Sequence, residues 1–295
     1  MTYAIVTPVK DEADRLGATA ESIERQTLRP ARWVIVDDGS TDGTREIAHR
    51  LAATNDWITA LDSGAGGDRA RGGRVVRAFE RGRQALGGQH DFVVKLDGDL
   101  TLPPDYFERV AATFTRDPAA GIVGGRVLVH DGSNWVPERV GRHTVHGAIK
   151  AYRTETLTDI GGLRPSMGWD GIDEYAAKAR GWKVIPIDNL LVHHHKQRGS
   201  KQRWWRARVE EGRGAHYMGY RPSFVIVRAG YRMLVEKPPL LGGAALFAGW
   251  LQAAATRAPI VDDPRAVAAL REEQKHRLRG RRVRPQSAVS PPAAR

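Results

Sequence analysis

The sequence contains no cysteine. This absence excludes disulfide scaffolds, thiolate zinc sites and cysteine nucleophiles. The sequence also lacks an apolar run of bilayer-spanning length, because Leu240 to Ala255 covers about 16 residues against the ~20 that a transmembrane helix needs. The N-terminal residues have no basic segment, and their apolar run breaks at Thr7-Pro8. We therefore expect no signal peptide and a cytoplasmic location.

What is present is the composition of a folded globular protein, with 295 residues, 41% of them hydrophobic and 27% charged. The formal net charge of +12 is unevenly distributed. Lys196 to Lys237 holds 11 basic and 3 acidic residues, and Lys275 to Arg295 holds 7 basic and none acidic. The C-terminal third therefore calls for an anionic partner or surface.

Short apolar runs alternate with stretches of helical periodicity along the first part of the chain. The runs are Ala4 to Val9, Trp33 to Val36, Phe92 to Leu96 and Ile122 to Val129. This alternation predicts βαβ units on a mostly parallel central sheet flanked by helices. Such sheets bind ligands at the carboxyl ends of their strands, where polar clusters are to be sought.

Acidic motifs follow two of these strands. Asp37-Asp38-Gly39-Ser40-Thr41-Asp42 comes after the second, and Asp97-Gly98-Asp99 follows Phe92 to Leu96. A buried strand that ends in carboxylates is unfavourable unless they face a cleft, a metal or a ligand. Ser40 and Asp42 have an alternative role in capping the helix that starts near Thr44.

Asp97 and Asp99 provide two oxygen ligands at positions i and i+2, and Gly98 between them permits a close approach of backbone and metal. Hard ligands of this kind suit Mg²⁺ or Mn²⁺. An added imidazole from His193 would favour Mn²⁺.

Three histidines, His193, His194 and His195, follow the predicted strand Leu190 to Val192. Consecutive strand residues point to opposite faces, so at most two of the three share a face. We select His193 as the metal-ligand candidate. A solvated basic cluster is the alternative.

The segment Ser63 to Gly73 is rich in glycine and arginine and precedes a predicted helix. A cationic loop that opens a helix suits a phosphate or diphosphate, with Arg71 or Arg74 as the contact. A glycine-rich surface loop with solvated arginines explains the same pattern.

Met167 to Val184 is typical of a turn, a helix that stops at Gly181 and a new strand. Asp173 and Glu174 lie where they interact favourably with the helix dipole, which favours a structural role. Asp170 precedes the helix proper, so its carboxylate is freer to face a cleft.

The character of the sequence changes near residue 200. Basic residues surround Trp204 and Trp205, a pattern that suits nucleic acid, a glycan or a lipid headgroup surface. Leu240 to Ala255 is predicted as an interfacial or re-entrant segment, with a buried core helix as the alternative. We predict a catalytic domain over 1–200, a helical, amphipathic and membrane-associating extension over 201–280, and a disordered basic tail over 281–295.

Three linked motifs carry a resemblance to a known family. Ala4-Ile-Val-Thr-Pro-Val-Lys-Asp-Glu, Val36-Asp-Asp-Gly-Ser-Thr-Asp-Gly-Thr and Lys95-Leu-Asp-Gly-Asp together resemble the family 2 glycosyltransferases of GT-A (Rossmann-like) fold, in order and spacing over about the first 130 residues. Alignment on Gly181 places the family's catalytic aspartate on Asp170, while Trp169 stands where the family has an acid. Asp173 stays a second candidate base.

The resemblance implies a nucleotide-diphosphate-sugar donor, with Thr7, Pro8 and Asp38 at the nucleotide and Arg71 or Arg74 at the diphosphate. Asp97, Gly98 and Asp99 form the family's metal motif, which holds Mn²⁺ or Mg²⁺. One general base and no second nucleophile imply single displacement with inversion. The Gln-x-x-Arg-Trp motif of processive relatives is absent, because Ser200 stands where glutamine is required.

The basic, apolar C-terminal third implies a lipid-linked or polysaccharide acceptor and peripheral attachment to the inner face of the cell membrane. Two other classes compete with this interpretation. A nucleotidyltransferase would carry a glycine-rich loop after the first strand, where this sequence has Thr7-Pro-Val-Lys-Asp-Glu. A basic nucleic-acid-binding protein would leave the acidic strand ends unexplained, so no nucleic-acid partner is expected.

Overall fold

The computed structural model describes residues 1–63, 73–138, 140–195, 201–236 and 239–280, and its strands form one nine-stranded sheet with helices on both faces. The strands are β1 (Tyr3–Val9), β2 (Arg32–Asp37), β3 (Ile58–Asp62), β4 (Phe92–Leu96), β5 (Leu100–Thr101), β6 (Ala120–His130), β7 (Trp135–Pro137), β8 (Ile149–Arg153) and β9 (Lys183–His194). The helices are α1 (Ala13–Glu24), α2 (Thr44–Thr54), α3 (Gly73–Gln84), α4 (Tyr106–Arg116), α5 (Thr154–Asp159), α6 (Trp169–Lys178), α7 (Lys201–Tyr217), α8 (Pro222–Val235), α9 (Leu241–Ala255) and α10 (Pro264–Leu278).

The first half of the sheet is parallel, in the order β3-β2-β1-β4. β1 and β4 are buried along their whole lengths, since their β-branched and aromatic residues are covered on both faces. Leu16 and Ile23 of α1 pack on one face together with α4. Val76 and Phe79 of α3 pack on the other face together with α6. The predicted α/β architecture is confirmed.

The second half of the sheet contains the antiparallel pairs. β8 lies between β4 and β6 and is antiparallel to both. β9 runs parallel to β6, and the short β5 pairs antiparallel with the end of β9. β5 follows the Asp97-Gly98-Asp99 motif directly. This pairing therefore brings the acidic motif and the three histidines to the same place.

Helices α7, α8 and α9 pack through small residues. A Cβ added to Gly249 of α9 would lie 2.1 Å from the carbonyl oxygen of Val209 in α7, and one added to Gly243 would lie 2.1 Å from that of Ala229 in α8. One face of α9 is thus buried, as in the core-helix alternative, while Leu241 and Leu251 on this helix stay exposed.

The last helix, α10, lies against α6. Arg180, just after α6, bonds Asp263 at 3.0 Å, and Lys178 of α6 lies 3.7 Å from Glu273 of α10. Over the part of the chain that the structure describes, no helix has both the length and the apolar character needed to cross a bilayer. The predicted disordered tail, 281–295, lies outside the described residues.

Candidate active site

The acidic motif Asp97-Gly98-Asp99 leaves the buried strand β4 at its carboxyl end. Its backbone is fixed there, because the Asp97 N–H donates to the carbonyl of Ala148 at 2.8 Å. A Cβ on Gly98 would lie 2.7 Å from Val9 Cγ1, so the glycine is required for the close approach of β1 to the motif. The motif is therefore held rigidly between two neighbouring segments.

Asp99 faces His194. Nε2 of His194 lies 3.2 Å from Oδ2 of Asp99, and both side chains are buried. Burial alone would raise the pKa of Asp99, but the hydrogen bond from His194 and the positive charges of His194, Arg15 and Lys95 together outweigh it, and the net shift is downward. Burial alone would lower the pKa of His194, but the carboxylates of Asp99 and Glu138 raise it to about 9. The two shifts together favour a negatively charged Asp99 beside a positively charged His194.

Asp97, Asp99 and His194 can converge on one cation. Their ligand atoms all lie within 4.8 Å of one another. Two carboxylate oxygens and an imidazole nitrogen match the donor preferences of Mn²⁺ and, less closely, Mg²⁺. The residues present therefore fit the divalent cation that the sequence predicts.

The selection of His193 as the histidine ligand is corrected by this geometry. The ring of His193 lies 4.4 Å from the ring of Trp135, and it is His194 that meets Asp99. The reason is strand alternation, which directs neighbouring side chains of β9 to opposite faces. The sequence alone shows that neighbouring histidines point to opposite faces of the strand. It does not show which of the two faces Asp97 and Asp99 lie on.

A buried lysine, Lys95, sits behind the motif. Its Nζ forms an ion pair with Asp97 and donates to the carbonyl of Gly147 at 2.8 Å. The ammonium also lies 5.3 Å from the centre of the Trp169 ring. Lys95 therefore connects the acidic motif to the loop before β8 and to the start of α6.

Asp170, the predicted base, is exposed in the first turn of α6. Its carboxylate packs against Gly147, where an added Cβ would lie 2.8 Å from Oδ2 of Asp170. Because Gly147 is also the carbonyl partner of Lys95, Asp170 and Asp97 are joined by a short chain of contacts. The structure thus brings these two predicted site residues together.

Asp173, the second candidate base, does not reach this exposed region. Its buried carboxylate accepts hydrogen bonds from Lys150 Nζ at 3.0 Å and from the Tyr152 hydroxyl at 2.6 Å. Burial raises the pKa of Asp173 and outweighs the attraction of Lys150. A carboxylate with these partners and no access to solvent cannot receive a proton from a substrate, so the structure argues against Asp173 as the base.

Glu174 belongs to the same buried network. It lies 3.0 Å from Lys150 Nζ and accepts a hydrogen bond from the Val145 N–H at 2.8 Å. Lys150 also donates to the carbonyl of Asp170 at 2.5 Å. The network anchors the first turn of α6, which extends the structural role predicted for this acidic pair from the helix dipole to a buried ion cluster.

Trp169 marks the departure from the family pattern. Its buried ring faces two ammonium groups, Lys95 at 5.3 Å and Lys150 at 6.0 Å from the ring centre. An aromatic face attracts cations through its quadrupole. The indole therefore offers the two lysines an attractive surface at the position where the family has a carboxylate.

Asp38 and Arg74, predicted separately at the nucleotide and at the diphosphate, form one ion pair with Arg74 Nε 2.7 Å from Asp38 Oδ2. Ser63 also donates to Asp38, at 2.9 Å. The pair joins the end of β2 to the start of α3. Arg71 and most of the glycine-rich loop lie outside the described residues.

Thr7 and Pro8 are both buried within β1. The Thr7 hydroxyl accepts a hydrogen bond from the Trp33 indole at 2.9 Å, so its side chain has a partner in the core, and the contact of Thr7 with the nucleotide stays a prediction. The exposed cation at this strand end is Lys10, whose Nζ donates to the carbonyl of Gly39 at 2.7 Å.

The two capping candidates differ. Asp42 accepts from the Thr44 N–H at 3.1 Å and so serves the start of α2. Ser40 instead accepts from the Asp11 N–H at 3.0 Å. Asp42 also accepts from the Ala13 N–H at 3.1 Å, so both side chains connect the segments after β1 and β2.

Sequence reasoning did not single out Lys95, Lys150, Glu138 or His146. The two lysines do leave a signal, because each is a charged residue inside an otherwise apolar strand, and a buried ammonium requires an anionic partner. Glu138 and His146 lie 3.1 Å apart, and with His194 they form a second group of potential ligands among the described residues. Nothing in their local sequence indicates this.

An α/β sheet with acidic side chains at the carboxyl ends of its strands and a helical C-terminal region fits the GT-A-fold glycosyltransferases, and comparison with known proteins supports this class. The chain belongs to Glycosyl transferase family 2, whose sequence model matches residues 4–163. Family membership decides among the three classes weighed from the sequence, in favour of the glycosyltransferase.

Among curated relatives, the succinoglycan biosynthesis protein ExoA of Rhizobium meliloti is 28% identical over 242 residues, which cover 74% of this chain and 70% of ExoA. The glucosyl-dolichyl phosphate glucuronosyltransferase of Haloferax volcanii is 26% identical over 139 residues, which cover 47% of this chain and 40% of that protein.

Solved structures agree with the fold. The mannosyltransferase PcManGT of Pyrobaculum calidifontis, in complex with GDP-Man and Mn²⁺, has a TM-score of 0.53 at 18% identity, covering 94% of this chain and 80% of that one. Residues 1–349 of S. aureus TarS with UDP-GlcNAc have a TM-score of 0.57 at 15% identity, covering 96% and 93%. The predicted GT-A architecture is confirmed.

Proposed function

We propose that this glycosyltransferase moves a hexosyl group from a nucleotide-diphosphate sugar to a hydroxyl of a lipid-linked or polysaccharide acceptor, with inversion at the anomeric carbon. The observation that carries the proposal is the chain of contacts from Asp97 through Lys95 and Gly147 to Asp170. This chain of contacts supports a candidate cation site and an exposed carboxylate that act on the same substrates.

Asp97, Asp99 and His194 would hold Mn²⁺ or Mg²⁺. The cation would neutralise charge that develops on the departing diphosphate. Asp38 would accept a hydrogen bond from the nucleotide, and Arg74, its ion-pair partner, would face the diphosphate. The complexes of PcManGT with GDP-Man and Mn²⁺ and of TarS with UDP-GlcNAc support a donor of this chemical class.

Asp170 takes the proton of the acceptor hydroxyl as the hydroxyl oxygen attacks the anomeric carbon. The carbon–oxygen bond to the diphosphate breaks, its electron pair leaves with the nucleoside diphosphate, and the new glycosidic bond forms on the opposite face of the sugar. A carboxylate positioned as general base contributes about 10²–10⁴-fold to such a step. The exposure of Asp170 supports this role, since an acceptor can reach it.

The direct test is a screen of nucleotide sugars with Mn²⁺ or Mg²⁺, in which release of nucleoside diphosphate and formation of glycosylated lipid are measured with and without a membrane lipid extract. We expect acceptor-dependent release for one donor and its loss on addition of EDTA. Turnover that persists in EDTA would contradict the cation site. Absence of any glycosylated product with every donor and acceptor class would contradict the transfer itself.

We propose attachment to the inner face of the cell membrane through the outer surface of the α8–α9 hairpin. This surface is formed by exposed apolar residues, namely Ile226, Val227, Tyr231, Leu234, Leu240 and Leu241. Leu234 is 82% exposed, and α9 has no charged residue. The basic surplus from Lys196 to Lys237 supports an anionic surface as the partner. The proposed contact lies mainly on α8 and the residues before α9, whereas the sequence indicated Leu240 to Ala255 with the neighbouring arginines.

The test is co-sedimentation with vesicles that contain anionic phospholipid. Leu234→Glu should reduce binding at least several-fold, because it adds an anion to the apolar surface. Leu191→Glu, at an exposed leucine of β9, is the matched control and should bind as the unaltered protein does. Equal binding by both variants would contradict attachment through the hairpin.

A further inference from the structure

The environment of Lys95 is unusual for a group so close to a cation site. Its side chain is 3% exposed and sits in the otherwise apolar strand β4. The ammonium pairs with Asp97, donates to the carbonyl of Gly147 and faces the ring of Trp169. A buried ammonium is stable only when it is paired, so Lys95 depends on the carboxylate that the cation site also needs.

We infer that Lys95 is the internal counter-ion of the candidate cation site: it neutralises and positions Asp97 in the cation-free protein and weakens the binding of a divalent cation until donor diphosphate is present. This inference rests on the proposed function and deepens it. Lys95 acts through Asp97 and is therefore a positioning residue.

Charge balance is the reason for the weakening. The anionic ligands of the site are Asp97 and Asp99, and Lys95 already offsets one of these two charges. An incoming divalent cation then meets a buried positive charge on the far side of its own ligand. At distances of a few ångströms inside a protein, repulsion of this kind is worth at least a tenfold change in affinity.

The ammonium is also held in place. Its contacts with Gly147 and Trp169 are on segments other than β4, and they oppose displacement of the ammonium into solvent by the cation. A diphosphate brings the negative charge that the site lacks. Cation and donor should therefore bind with positive coupling, and the coupling is reciprocal.

The test measures Mn²⁺ affinity without nucleotide, from the electron paramagnetic resonance signal of free Mn²⁺. The variants are Lys95→Met, which removes charge and donors, and Lys95→Gln, which removes the charge and keeps a donor for Gly147. Lys183→Met is the matched control. Lys183, the first residue of β9, is partly exposed and pairs with Asp117 at 2.8 Å. Circular dichroism checks the fold of each variant.

We expect both Lys95 variants to bind Mn²⁺ at least tenfold more tightly than the unaltered protein, with Lys183→Met unchanged. If Lys95→Met misfolds, Lys95→Gln alone decides. A larger rise in melting temperature on Mn²⁺ addition for the Lys95 variants gives a second readout.

Equal or weaker Mn²⁺ binding by a folded Lys95 variant would overturn the inference and leave the proposed transfer standing. Binding by the variants but not by the unaltered protein would support it. Absence of Mn²⁺ binding in every chain would overturn the cation site on which both proposals rest.

Discussion

Nε2 of His194 lies 3.2 Å from Oδ2 of Asp99, although the two residues are far apart in the chain. The antiparallel register of β5 and β9, which sets Leu100 opposite His194, brings them together. A strand of two residues therefore decides which histidine belongs to the acidic cluster.

His194→Ala should weaken Mn²⁺ binding at least tenfold, because loss of even an outer-shell partner of a metal ligand typically costs 10–100-fold. His193→Ala is the matched control and should leave Mn²⁺ affinity unchanged, since His193 packs on Trp135. Isothermal titration calorimetry measures both. Weaker Mn²⁺ binding by His193→Ala, with unchanged binding by His194→Ala, would show that His193 is the ligand.

Asp170→Asn should reduce transfer by about 10²–10⁴-fold, because the amide cannot take the acceptor proton. Mn²⁺ and nucleoside-diphosphate binding should persist, since Asp170 is exposed and lies outside the cation cluster. The measurement is product formation at saturating donor. Asp262→Asn, at another exposed carboxylate, is the control and should keep full turnover. Near-normal turnover of Asp170→Asn would remove the base role from this residue.

Gly147→Ala should lower kcat and change the KM for the donor much less. The new methyl group would lie 2.8 Å from Oδ2 of Asp170, so the carboxylate must move. A displacement of the base of about 1 Å can cost up to 10²-fold in rate. Gly17→Ala in α1 is the matched control, because open space surrounds that position and alanine favours the helix. Steady-state kinetics measure kcat for both variants. Equal kcat values would show that turnover does not depend on the position that the Asp170 carboxylate occupies beside Gly147.

The buried pair Lys150–Glu174 predicts a pH-dependent stability. Burial raises the pKa of Glu174 to about 7, against 4.5 for an ordinary glutamate, and Lys150 only partly offsets this. Between these two values the folded protein holds a proton that the unfolded chain has released, so the contribution of Glu174 to the free energy of unfolding falls as pH rises.

Glu174→Gln has no such proton to lose. Its free energy of unfolding, measured by urea titration, should therefore improve relative to the unaltered protein as pH rises from about 4.5 to about 7. Glu108→Gln on α4, at an exposed carboxylate, is the control and should show a constant difference over this range. A constant difference for Glu174→Gln would contradict the raised pKa.

Local sequence was sufficient for the elements that bear the donor-side motifs. The run Phe92 to Leu96 predicted β4 with its observed ends, and the acidic residues after it lie at the carboxyl edge as expected. Asp38 and Arg74 were each predicted at the donor site, and their ion pair shows that they share one location. Periodicity and strand-end chemistry are local properties, which is why the positions of these residues could be predicted, while their contacts with a donor stay predictions.

The remaining features depend on contacts between distant segments. Asp173 is withdrawn from solvent by Lys150 of β8, and the Thr7 hydroxyl is taken by Trp33 of β2. Neither partner is visible from the spacing around Asp173 or Thr7. The choice between His193 and His194 likewise required the register of β5 against β9.

The position of β8 between β4 and β6 has a consequence for how substrate preference can change. β4, which precedes the candidate cation site, is joined through β8 to β6 in one hydrogen-bonded sheet. A hinge motion between β4 and β6 would have to break the hydrogen bonds that β8 makes with both strands. Adaptation to a new sugar or acceptor is therefore expected to proceed by exchange of residues in the connecting loops, on a scaffold that stays rigid.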